Sequence, residues 1–503
     1  MKKINYIICS MLLLSGLTAC NKQLNTEPTN AVPGGLLFEN VANLSTLLQG
    51  TWASMMDDFY GNVYSNPGFK SIALTSDAMG DDVAVIPTKY GYKTTYTFLQ
   101  MYDKTQSRNL AFWSQLYKII NNMNTILAHV DNASGDNSAK QVLKGQALAL
   151  RANTYLVLAS FFQFSYLKDP QARAVPIYTL PTSDTTTGHP RATLQQVYQL
   201  IVSDLQQAIT LLKDYQRPAK YLIDGNVAQG LLARAYLNTG DWTSAAQAAI
   251  AARQGYSLMT PADYKAGFND ITNEEWIWGH PELPTQNNGS YYFNFIDATY
   301  TDGYYSFMAD PHFMELFDNG DVRKTLFYWD GEPGLEGYLV YGKIRFGSIP
   351  NQTGDIVLMR AAEAYLIEAE GDARANNLTD AVTALNALRT ARTARLYDPT
   401  GQTQQSLIDT ILVERRKELW GEGFSLSDII RNQLSVVRKP YTDAGGNPIK
   451  VTVTTPDGTT KQVPAKYHTT LGFPDGTPFV PNSPFYIFAI PQSEEQNNPN
   501  LYR

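Results

Sequence analysis

The chain is poor in the residues that most reactions and most disulfide folds need. Of 503 residues only two are cysteine, Cys9 and Cys20, and only five are histidine. Charged residues make up 17% of the chain, against roughly 25% in an average soluble protein. No later stretch matches the apolar run at residues 4–17, and none approaches the roughly 18 uninterrupted apolar residues of a spanning helix. No Lys/Arg cluster interrupts a net charge of −7. These absences exclude a disulfide scaffold, a polytopic helical membrane protein and a nucleic-acid binder, whose partner's phosphates an acidic chain repels. What is abundant is aromatic: 31 Tyr, 21 Phe and 7 Trp. A weakly charged, Tyr-rich chain long enough for a large core suits contact with uncharged ligands or other proteins.

The first residues read as an address. Lys2 and Lys3 precede the apolar run, which is of signal-peptide length, and Leu17-Thr18-Ala19-Cys20 follows. That ending resembles a bacterial lipobox, which predicts cleavage after residue 19 and lipidation of Cys20. Loss of Lys2 and Lys3 would leave 38 Lys/Arg against 47 Asp/Glu, a net charge of −9. The mature chain would keep one cysteine and no internal disulfide, and acyl chains on it would give lasting membrane attachment. Residues 20–35 read as a polar tether.

The body reads as mainly α: a tetratricopeptide-like helical repeat scaffold with long aromatic loop insertions and a few short hairpins. Residues 193–213 carry a capping box, Thr193 with Gln196, and an apolar stripe at helical spacing. Helices are also expected over 41–56, 112–130 and 145–164. In 224–256, Leu232, Ala233, Tyr236, Gly240, Ala245, Ala249 and Ala252 stand at tetratricopeptide spacing. A second copy over 361–389 has Ala369, Ala381, Leu385 and Leu388 in step, with Thr379 as its expected N-cap. About a hundred residues separate the copies, which makes the intervening stretch an insertion. The insertions at 60–102, 275–305, 328–346 and 441–484 are rich in Gly, Pro, Tyr and Trp. Residues 328–346 read as a hairpin, and so do 450–455 with the turn Pro456-Asp457-Gly458.

Tests for chemistry fail. Gly337 to Lys343 fits GxxxxGK, but Ile344 stands where a metal-binding hydroxyl belongs and the middle reads as a strand. No histidine has a second at ligand spacing, and no GxSxG elbow occurs. Asp77, Asp81 and Asp82 offer oxygen ligands for Ca²⁺, with a solvated loop as the plainer reading. No carboxylate pair is singled out for glycoside hydrolysis. Glu414, Glu418 and Glu422 fall on one helix face within a dense charged run, which predicts a salt-bridge network closing a helix at Gly423. No catalytic residue, metal or cofactor is expected.

Glu414-Arg415-Arg416, Glu418-Leu419, Glu422-Gly423, Asp428 and Arg431 together resemble the C-terminal signature of the SusD/RagB family, surface nutrient-binding lipoproteins of Bacteroidetes. Other segments agree in order: Trp113-Ser114-Gln115-Leu116-Tyr117 with Asn121 and Asn124, Lys144-Gly145-Gln146-Ala147 with Arg151 and Tyr155, and the 355–369 run. The chain closes on Asn498-Pro499-Asn500-Leu501 in the same way. The resemblance implies an N-terminal helical part over 36–260 and a C-terminal part over 261–503, in one body. It implies a lid on a SusC-type TonB-dependent outer-membrane transporter, lipid-anchored and facing the cell exterior. The lid captures oligosaccharide and delivers it without breaking a bond. A RagB-type peptide-capturing lid, a surface glycan hydrolase and a purely structural adaptor are the alternatives. Sugars stack their C–H faces on aromatic rings and hydrogen-bond through hydroxyls. The candidates for a glycan platform are therefore Asp77, Tyr90, Tyr92, Tyr96, Trp278, Tyr292 and Tyr304.

Overall fold

A computed structural model describes residues 38–85 and 91–503. The leader, the tether with Cys20, and Tyr90 lie outside the described residues. Among the described residues eleven helices of seven or more residues carry the frame: α1 Val41–Met55, α2 Lys70–Ala78, α3 Ser107–His129, α4 Asn137–Phe161, α5 Leu194–Leu212, α6 Gly225–Thr239, α7 Trp242–Ala252, α8 Ala361–Arg374, α9 Leu378–Ala391, α10 Gln404–Leu419 and α11 Ser425–Arg431. Each of α3 to α9 packs on the next.

Local signals account for most of their ends. Thr193 accepts the N–H of Gln196, and the Gln196 side chain returns to the Thr193 backbone, as the capping box requires. Asp136 caps α4, which starts eight residues before the expected position, and Asp224 and Asp241 cap α6 and α7. Gly240 closes α6 in the left-handed region at φ 79°. The expected cap at Thr379 is not made. It lies inside α9, whose N-cap is Asn377 without a side-chain bond.

The repeat stack runs straight across the hundred-residue insertion, because α7 packs directly on α8. A side chain at Gly371 would put its Cβ 2.6 Å from the Trp242 carbonyl oxygen, so only glycine permits this approach. The insertion leaves and rejoins the stack through one neck. Strand β4 (Trp276–His280) runs antiparallel to β8 (Ile356–Arg360), which feeds directly into α8.

Between them the insertion builds three strands, which a strand from the 60–102 stretch joins. Strands β1 (Val83–Val85), β5 (Phe307–Ala309), β7 (Leu339–Tyr341) and β6 (Phe327–Trp329) form an antiparallel sheet in the order β1-β5-β7-β6. The β6/β7 pair is the expected hairpin over 328–346. Strands β9 (Lys450–Thr454) and β10 (Thr460–Pro464) form the second, about the Asp457-Gly458 turn. A further short pair joins β2 (Arg173–Pro176) to β3 (Arg191–Thr193). The expected loops thus enclose a second core, in which Tyr92, Tyr96, Trp276, Tyr292, Phe293, Phe295, Phe307 and Tyr341 are buried together.

The dense charged run is structural. Glu414, Glu418 and Glu422 meet Arg323, Arg360, Arg389, Arg392 and Lys343 at the neck, joined by Glu275 and Asp321. Arg360 bridges Glu275 at 2.7 Å and Glu418 at 2.5 Å. Burial alone raises the Glu422 carboxyl, but Arg360 and Lys343 outweigh it and hold it at about 2. Glu414 is held at about 2 chiefly by Arg323 against the same opposition. Helix α10 stops at Leu419, earlier than the expected close at Gly423, because Trp420 is extended and Gly421 turns left-handed at φ 78°. Of the GxxxxGK skeleton, the middle is β7, and Lys343 is a buried partner of Glu422 at 2.6 Å.

Candidate functional site

An open aromatic cluster forms where two insertions meet. The first is the turn after α1. Phe59, Gly61 and Asn62 all have positive φ, at 49°, 67° and 58°. Two of the three are not glycine, and such backbone is sparsely populated unless its surroundings enforce it. The surroundings do so here. The Asn66 side chain donates to the Tyr60 carbonyl at 3.0 Å, and the Tyr60 N–H donates to the Asn66 carbonyl. A Cβ on Gly61 would lie 2.7 Å from the Ala111 methyl, so the turn is pressed onto α3. The result is that Phe59 and Tyr64 stand outward, 41% and 49% exposed.

The second insertion contributes Tyr291, from a short 3₁₀ turn over Asn288–Tyr292, and Tyr304. The Tyr291 hydroxyl donates to the Tyr64 carbonyl at 2.8 Å, and the Tyr64 and Tyr304 hydroxyls bond each other. Ring centroids lie 4.8 Å apart for Phe59 and Tyr291, and 5.7 Å for Tyr64 and Tyr304. Phe295 backs Tyr304 in a stacked pair. On the rim the Asn288 amide donates to Asp57 at 3.0 Å. Partial burial, then the neighbouring Asp57 charge, raises the Asp58 carboxyl above its ordinary range. Rings braced from behind and edged with amides and carboxylates can stack a ligand's apolar face and bind its hydroxyls.

Of the residues expected from the sequence, only Tyr304 belongs to this cluster. Tyr90 lies outside the described residues, and the other five are inside the body. Asp77 accepts the N–H groups of Gly423 and Ser425 and ties α2 to α11. Burial pushes its carboxyl up to about 7 against those hydrogen bonds. Tyr96 bonds His468 at 3.0 Å beneath Arg438. Trp278 donates to the Tyr221 carbonyl and packs edge-on against Trp52. Tyr292 donates to the Gly421 carbonyl, with Lys70 over its ring. Tyr92 is buried but acts on the cluster indirectly. With Arg108 it holds the Ser65 carbonyl, one residue from Tyr64. These five therefore present no open face, because the second core needs the three tyrosine rings, the main helical core takes Trp278 beside Trp52, and Asp77 serves as a backbone anchor.

The three acids considered for Ca²⁺ are engaged by the protein itself, Asp81 and Asp82 sharing Arg416. Asp82 pairs with Arg416 at 2.6 Å, and Asp81 accepts the Val437 N–H. Among the described residues no three His, Cys, Asp or Glu side chains gather as a metal-holding group, and no helix is long and apolar enough to cross a membrane.

The residues missed by sequence reasoning are Phe59, Tyr64, Tyr291, Asn288 and Asp57. The usable signal was Asp57-Asp58-Phe59-Tyr60-Gly61-Asn62, a turn composition wrapped around aromatics.

Known proteins show the same architecture. Residues 37–237 match a family described as starch-binding and associating with the outer membrane, and residues 335–503 match the SusD family. A SusD-like carbohydrate-binding protein from Bacteroides vulgatus is 42% identical, with 92% of this chain and 98% of that one covered at a TM-score of 0.86. A SusD superfamily protein from Bacteroides thetaiotaomicron, 23% identical, shares the fold at 0.72 over 92% and 99% of the two chains. No curated protein matches. With both ends of the body matched and one relative so similar throughout, the chain belongs to the SusD family.

Proposed function

We propose that this protein captures oligosaccharide at the Phe59, Tyr64, Tyr291 and Tyr304 cluster and passes it to a SusC-type TonB-dependent outer-membrane transporter. It does so without catalysis, held at the outer face of the outer membrane by lipid on Cys20. The observation that carries the reading is the open aromatic cluster itself, fixed by hydrogen bonds and by left-handed backbone at Phe59 and Asn62. Flexible residues seldom hold such conformations, so the rings are presented before any ligand arrives, which lowers the ordering cost of binding. The carbohydrate-binding relative at 42% identity supports the ligand class. The rim of Asp57, Asp58 and Asn288 favours neutral sugars over acidic ones.

The test is calorimetric titration of the whole protein against plant, host and microbial oligosaccharides and a peptide digest. A glycan that binds with heat, and that Tyr64→Ala and Tyr291→Ala each weaken by about tenfold, is the expected result. Peptide binding with silent glycans would make this a peptide-capturing lid. Cleavage of a bound oligosaccharide would make it a hydrolase.

A further inference from the structure

A second cleft lies away from the aromatic cluster. It encloses about 320 Å³, and its walls include Trp113, Tyr117, Asn121, Tyr178, Thr182 and Glu494. That volume is within the range of small-ligand pockets. The cleft and the cluster lie on different sides of α3. Ala111, Gln115 and Asn122 face the turn after α1 and α1 itself: Ala111 underlies Gly61, Gln115 donates to the Met55 carbonyl, and Asn122 bonds Thr51. Positions 113, 117, 121 and 124 fall on the opposite face by helical periodicity.

The lining suits a saccharide. Tyr117 lies 4.7 Å from Trp113 and meets Tyr178 at 84°, with centroids 5.9 Å apart, which gives an aromatic corner. The Tyr117 hydroxyl is spent on the Pro176 carbonyl, so its ring is fixed. Tyr178 is stacked on His189 from outside. The polar groups retain capacity for a ligand. Glu494 accepts one hydrogen bond from the Trp113 indole at 3.3 Å and one from the Asn498 amide at 2.9 Å. A carboxylate has about four acceptor positions, so roughly half remain for ligand hydroxyls. Asn121 spends its side-chain oxygen on the Thr182 N–H and hydroxyl, and its amide donors bond no described residue. Among the described residues no Lys or Arg lines the cleft, so an acidic ligand meets only the Glu494 charge.

From this corner of three rings, a spare carboxylate and a spare amide, we infer that the cleft is a second binding site, for one or two rings of an uncharged saccharide. It stands independently of the aromatic cluster. A long glycan reaching both would gain affinity from the linkage alone.

The test uses the neutral disaccharides maltose, cellobiose, mannobiose and lactose, with binding stoichiometry read by calorimetry on the whole protein. At least one sugar is expected to occupy two sites. Tyr64→Ala with Tyr291→Ala should leave one, and Asn121→Ala with Glu494→Gln should leave the other, weakening cleft binding about tenfold or more. A crystal soaked with the same sugar should show it against Tyr117 and Tyr178, which decides the matter even if the cleft variants fold poorly. One site in the unaltered protein, lost with the Tyr64 and Tyr291 changes, would overturn the cleft and keep the cluster. One site lost only with the cleft changes would keep the cleft and overturn the cluster. An empty cleft in the soaked crystal, filled instead by a transporter segment in a co-complex, would make it a protein interface and overturn the inference.

Discussion

Between α6, α7 and α8 the contacts are small: Ala245, Ala249 and Ala252 are wholly buried, and Gly371 meets the Trp242 backbone. In the insertion the contacts are large: Phe293, Phe295, Phe307, Tyr341 and Trp276 fill a core beside a buried ion network. The stack gains its stability from close helix approach, repeated locally. The insertion depends on aromatic area and on charges that mostly satisfy one another across long sequence distances, as Arg360 does with Glu275 and Glu418. The first arrangement makes a rigid frame, and the second can turn a few of its rings outward. Tyr291 and Tyr292 illustrate this. They are adjacent, yet one faces the open cluster and the other bonds the Gly421 carbonyl inside.

The contrast can be broken most severely at the neck. Arg360→Ala removes the one guanidinium that Glu275, Glu418 and Glu422 share, leaving Arg392, Arg323 and Lys343 on them, and should cost about 3 kcal/mol or more in urea unfolding. A loss under about 1 kcal/mol would show that the network is dispensable. Trp278→Ala should cost about 3 kcal/mol through a cavity beside Trp52, and leave glycan affinity unchanged in calorimetry on the folded fraction.

Proton linkage separates the network from Asp77. Glu414 and Glu422 have folded values of about 2, below their ordinary 4.5, so their stabilisation is complete above pH 4.5 and is lost as pH falls toward 2. Asp77 is raised from 3.8 to about 7, so it removes stability as pH rises across that window. The urea midpoint should therefore drop between pH 4.5 and 2, and Asp77→Asn should flatten the decline between pH 4 and 7. A midpoint that stayed level into acid would contradict the first statement. A slope in Asp77→Asn equal to the parent's would contradict the second.

In the stack, Gly371→Ala should cost about 1–3 kcal/mol by overpacking against Trp242. The smallest effect on stability is expected at the open cluster. Tyr64→Ala should change the melting midpoint little, about 0.5 kcal/mol, because its ring is half exposed.

The helices were legible because their signals are local. Thr193 and Gln196 cap α5 from three residues apart, and the 232–252 spacing describes two helices that touch each other. Thr379 shows the limit of such signals, since a residue of N-cap type two positions late is absorbed into the first turn. The candidate site was legible only as an address. Tyr-rich stretches marked the right insertions, and Tyr304 was named, but Tyr92, Tyr96, Trp278 and Tyr292 have the same composition and are buried.

By itself the sequence determined the mainly helical frame, the interrupting insertions, the two hairpins and the family signature. The first three rest on periodicity, caps and turns within a few tens of residues, and the last on the resemblance of residues 414–431 to a known family. Only the tertiary structure decided which rings face water. In a 3₁₀ turn successive side chains are about 120° apart, so one of Tyr291 and Tyr292 had to point inward. The choice was set by Tyr64, Gly421 and Lys70, which are distant in sequence and adjacent only after folding.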